Sequence, residues 1–75
     1  MRQRLAIVAD FQALERFQNM NSSTNGNAWS RERQSVLEAK LRTELGDKYK
    51  ILQAYQLIAF QPLDEATILG VLSMP

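Results

Sequence analysis

From Leu37 onward the apolar residues keep one phase. At about 100° per residue, Leu41, Leu45, Leu52, Tyr55 and Ala59 all project within about a quarter turn of Leu37, with Ile51 and Ile58 beside them. A period of this kind belongs to a helix. The stripe passes through Gly46-Asp47 without slipping, although glycine costs about 1 kcal/mol relative to alanine inside a helix and aspartate is a better N-cap than helix former. Two separate helices have no reason to share a phase, so the spacing predicts a single helix over about 31–60. A break or kink at Gly46-Asp47 is the competing reading. Glu38 with Arg42, and Glu44 with Lys48, set an acid four residues before a base, which suits a helix surface, and the second pair spans the glycine.

The same periodicity predicts an amphipathic helix over about 2–19, with Ile7, Phe11 and Leu14 on its apolar stripe and Val8 and Phe17 flanking it. Gln12, Arg16 and Asn19 mark the outer face, with Glu15 at its border. Between the two helices, about 19–29, polar residues crowd together and the period disappears, which marks a loop with a turn at Asn25-Gly26. Ser30, followed by Arg31, Glu32 and Arg33, is the expected N-cap of the long helix. Pro62 ends that helix, because its ring disfavours helical geometry at Gln61 and removes a backbone donor. A short final helix over about 63–73 follows, with Asp64 and Glu65 where the helix dipole favours negative charge. The expected fold is all-α: a helical hairpin and a short C-terminal helix in one small domain spanning residues 1–75.

Chemistry is limited by inventory. The 75 residues hold no cysteine, no histidine and three scattered glycines. No thiolate metal site, imidazole proton shuttle or glycine-rich phosphate loop can be built from them, so neither a cofactor nor a metal site is expected, and the chain is expected not to be an enzyme. Asp64 and Glu65 are adjacent, and neighbours on a helix diverge by about 100° rather than converging on an ion. No apolar run approaches the roughly 20 residues needed to cross a bilayer, and the N-terminus carries no export signal, so no membrane partner and a cytoplasmic location are expected.

The remaining function classes are binding ones. A helix over 31–60 would be roughly 45 Å long against roughly 27 Å for the first helix, which leaves the stretch from Leu52 to Phe60 without cover from it. Cover is expected from the C-terminal helix, a second copy of the chain, or another protein. The expected function is a small non-catalytic interaction module (an adaptor, regulator or chaperone-like protein) that lays an apolar helix face against a partner or a homodimer mate. Its candidate contact residues are Trp29, Leu52, Tyr55, Phe60, Leu63, Ile68, Leu69 and Leu72. Trp29 also has a plainer role as the plug that closes the hairpin; Tyr55 reads as core and Tyr49 as a flank residue. The rival class is a nucleic-acid-binding regulator using Arg31, Arg33, Lys40 and Arg42 of the long helix. Glu32, Glu38 and Glu44 interleave with those cations, and net charge is only +1, so little field is left to attract phosphate.

Overall fold

The computed structural model describes residues 2–22, 27–59 and 62–75. All of its regular structure is helical: α1 (Arg4–Ser22), α2 (Ala28–Leu45), α3 (Asp47–Ala59) and α4 (Glu65–Leu72). The single helix expected over 31–60 is two helices, divided at Gly46. This residue adopts φ 57° and ψ −123°, a conformation found at the first central position of a type II′ turn and open essentially to glycine alone. Its N–H donates to the Arg42 carbonyl at 3.0 Å, and its own carbonyl accepts from the Tyr49 N–H at 3.1 Å, so both backbone polar groups of the glycine stay paired. The division shortens the molecule. A straight helix over residues 28–59 would measure roughly 48 Å, whereas the molecule's longest dimension is 38 Å.

The other boundaries also shift. Helix α1 runs three residues beyond the expected end, and α2 begins at Ala28, capped by Asn27 rather than Ser30. The Asn27 side chain accepts from the Ser30 N–H at 2.9 Å while the Ser30 hydroxyl accepts from the Asn27 N–H at 3.1 Å, a reciprocal box that satisfies two donors at the helix start. Ser30 also donates to Asn21 Oδ1 at 2.8 Å, which ties the end of α1 to the start of α2. Helix α4 is shorter than expected; Asp64 is its N-cap, accepting from the Thr67 N–H at 2.8 Å. That bond holds the Asp64 carboxyl below its ordinary range. The turn expected at Asn25-Gly26 and the contact expected at Phe60 lie outside the described residues.

Helices α1 and α2 run antiparallel, since Arg2 meets Glu44 at one end and Asn21 meets Ser30 and Gln34 at the other. Helices α3 and α4 also run antiparallel: Lys48 at the start of α3 donates to the carbonyl of Leu72 at the end of α4, at 2.9 Å. Backbone packing joins α1 to α2 and α4, and α3 to α2 and α4. The core between these elements is formed by Ile7, Val8, Phe11 and Leu14 of α1, Leu41 and Leu45 of α2, Tyr49 and Leu52 of α3, and Leu63, Ile68, Val71 and Leu72 from the C-terminal segment. Phe11 meets Tyr49 edge to face, with ring centroids 6.4 Å apart. The backbones of α1 and α3 stay apart across the core, so long side chains fill the space between them.

The supporting ion pairs differ from those the spacing suggests. Glu44 bonds to Arg2 rather than Lys48, in a two-pronged contact of 2.6 and 2.7 Å, and Glu38 accepts from Gln34 at 3.2 Å. At Glu44 the distant partner displaces the local one because the guanidinium fork fits a carboxylate with two bonds at once.

Candidate functional site

The division at Gly46 decides which side chains of α3 are available. Two tyrosines exchange the places expected of them: Tyr49 is only 1% exposed, while Tyr55 is 39% exposed. The phase argument assumed one unbroken rod. Once the backbone at Gly46 re-aims the chain, α3 turns Tyr49, Leu52 and Gln56 inward, while Tyr55, Ile58 and Ala59 of the former stripe face solvent. Burial pushes the Tyr49 hydroxyl above its ordinary pKa, with Glu38 adding to the effect and Arg42 and Gln53 opposing it. The Arg42 guanidinium lies over the ring, 5.5 Å from its centroid.

Four of the candidate contact residues, Leu52, Leu63, Ile68 and Leu72, are buried within this chain's own core, and Leu69 packs against it partly buried. The C-terminal helix therefore docks on its own molecule, and these side chains serve its packing. Trp29 sits where the plainer of its two expected roles places it. Its ring meets Phe17 edge to face at 5.8 Å, across the mouth of the α1–α2 hairpin, and it remains 58% exposed. The Arg33 guanidinium sits 5.5 Å from the centre of the same ring. Of the candidate phosphate-binding cations, Lys40 contacts Asp10 at 3.2 Å, Arg33 and Arg42 lie over aromatic rings, and Arg31 is exposed.

Two features of α3 emerge once its neighbours are placed. The first is an outward apolar face. Ile51, Ala54, Tyr55 and Ile58 follow one another at spacings of three, four and seven from Ile51, the repeat of a helix seam. Ile51 is partly buried against the core, and exposure grows toward the end, where Ile58 is 75% exposed. No charged residue occurs from 51 to 59. Ordinarily the solvent side of a helix carries charges; this one carries branched and aromatic carbon.

The second feature is a cleft of about 430 Å³ between α1 and α3, lined by Glu15, Gln18 and Asn19 on one side, Gln53, Gln56 and Leu57 on the other, and Pro62 at the end. It lies where the two helix backbones do not close on each other. Glu15, expected at the border of the polar face, is 4% exposed. Its Oε2 accepts from Gln56 Nε2 at 3.0 Å and from the Leu63 N–H at 2.9 Å, so it holds α3 and the segment leading into α4. Gln56 also reaches Gln18 at 3.4 Å. The donors that make burial tolerable lie 41 and 48 residues away in sequence, beyond the reach of any local pattern.

Among the described residues no cluster of carboxylates is placed to hold a metal ion, and no helix is long and apolar enough to cross a membrane. No family model, curated protein or solved structure matches this chain. The class that can be stated is a compact all-helical four-helix fold.

Proposed function

We propose that the protein is a non-catalytic helical interaction module that pairs through the outward face of α3, with a second copy of the chain as the occupant. The observation that carries this reading is the uncharged seam of Ile51, Ala54, Tyr55 and Ile58, turned away from a core that is complete without most of it. Apolar side chains in this spacing are the complement of another apolar helix, laid alongside so that each fills the other's grooves. A second α3 supplies such a helix, and because residues 51–59 carry no charge, two copies meet without placing like charges together. The Tyr55 hydroxyl can stay at the wet rim while its ring is covered.

Light scattering on the full-length chain tests this reading. A dimer is expected at micromolar concentrations, and Ile58→Asp, at an exposed position, is expected to give a monomer of unchanged helical content. A wild-type chain that stays monomeric at hundreds of micromolar would remove the second copy as the occupant. A different protein partner would then have to be sought on the same face.

A further inference from the structure

Glu15 is the only charged side chain buried among the described residues, and its two oxygens are treated unequally. Both of its donors converge on Oε2, while Oε1 is buried with no hydrogen-bond partner. No lysine or arginine of the described residues lies within ion-pair distance. A carboxylate offers roughly four acceptor positions, and buried acceptors are matched in nearly all folded proteins. Holding α3 and the chain before α4 requires only one of the two oxygens.

We propose that the cleft between α1 and α3 binds a guanidinium group, with Glu15 as its counter-ion. The chemistry of the walls selects this ligand. Gln18, Asn19 and Gln53 line the same cleft as Glu15 and carry carboxamides that can present carbonyl oxygens, so the cleft combines several acceptors with a single negative charge. A guanidinium carries five N–H donors in a fixed plane and suits a carboxylate flanked by carbonyls, whereas an ammonium concentrates its donors on one atom. It is also more weakly hydrated, so less is lost when it leaves water for a partly sheltered site. Leu57 and Pro62 supply apolar edges for a short alkyl stem, and the volume of about 430 Å³ falls within the range of small-ligand pockets. The same head group can arrive on a free small molecule or on an arginine side chain of a peptide.

The test is a titration of the isotopically labelled full-length chain, followed by amide chemical shifts, with butylguanidinium, an N-acetylated and C-amidated arginine tripeptide, and butylammonium as three separate probes. Shifts are expected at Glu15, Asn19, Gln53 and Gln56 for both guanidinium probes, with butylammonium weaker. Tighter binding of the tripeptide would identify a protein source, and equal or weaker binding a free small molecule; either order supports guanidinium recognition. Glu15→Gln retains an oxygen for the Leu63 N–H and removes the charge, and affinity is expected to fall about 10-fold to 100-fold, the range of a charge-assisted hydrogen bond. Leu57→Arg places a guanidinium of the chain's own at the cleft edge and is expected to abolish binding without touching Glu15, which keeps the test open if Glu15→Gln does not fold. Shifts scattered over the surface, no preference over butylammonium, or full affinity in a folded Glu15→Gln or Leu57→Arg chain would overturn the proposal.

Discussion

Helix α1 is fastened at two places by carboxylates, and the two fastenings obey different physics. Toward its start, Arg2 bridges Asp10 at 2.8 Å and Glu44 at 2.6 Å, and Lys40 adds a second contact to Asp10, so cations and anions are paired where water still reaches them. Toward its end, Glu15 is out of water and held by amide donors without a cation. Exposed pairs gain little, because solvent screens them and two flexible side chains must be held still. A buried acceptor is different: its loss leaves inward-facing donors with nothing to bond. The more charged anchor is therefore expected to be the less important one for stability.

Removing the buried anchor is the sharpest way to break this contrast. Glu15→Ala leaves the Leu63 N–H without its acceptor and frees Gln56, and a loss of about 2–4 kcal/mol is expected in chemical denaturation. A loss no larger than that of an exposed ion-pair variant would erase the distinction. Next comes the joint that sets where α3 lies. At Gly46 nothing stands within 4 Å of an added Cβ, so the penalty of Gly46→Ala is torsional rather than steric, and about 1–3 kcal/mol is expected. Added stability would mean that the residue is helical in solution, and that Glu15 and Gln56 do not meet as described.

The exposed anchor should instead respond to pH and salt. Burial alone would raise Asp10, but the bonds from Arg2 and Lys40 outweigh it and hold its carboxyl below the ordinary value; the Arg2 fork does the same for Glu44. Carboxyls depressed by folding add stability that is complete above their unfolded range, near pH 4, and is lost as pH falls through the lower folded values. A modest decline below about pH 4 is expected, and Asp10→Asn should shrink it. The smallest effect belongs to Arg2→Gln at neutral pH, which should weaken the fold slightly at low salt and not measurably at high salt. A salt-independent loss at Arg2 would show that its aliphatic stem, not its charge, does the fastening.

How far the sequence could lead is visible in these same elements. Ile7, Phe11 and Leu14 announce the buried face of α1 by their spacing, and Asp64-Glu65 announces the start of α4, because both signals are local. The exchange between Tyr49 and Tyr55 is not local. It follows from one glycine torsion that the period of the apolar residues conceals, since Leu52 is inward in either arrangement. Glu15 was still less legible. At the edge of an apolar stripe a glutamate normally faces water, and only the return of the chain at Gln56 and Leu63 gives it reason to be inside. The outward seam of α3 could be found by counting from Ile51, but not distinguished from core until the neighbours were known.

The turn at Gly46 has a further consequence for the identity of the molecule as a unit. Its geometry resides in two backbone angles, with no side chain wedged against them. Were both to relax to helical values, α2 and α3 would fuse into a shaft too long for its own hairpin, and α4 would be carried away from α1. The interior left open would then need cover from outside the molecule, so the φ and ψ of one residue separate a self-contained globule from a chain that cannot close on itself.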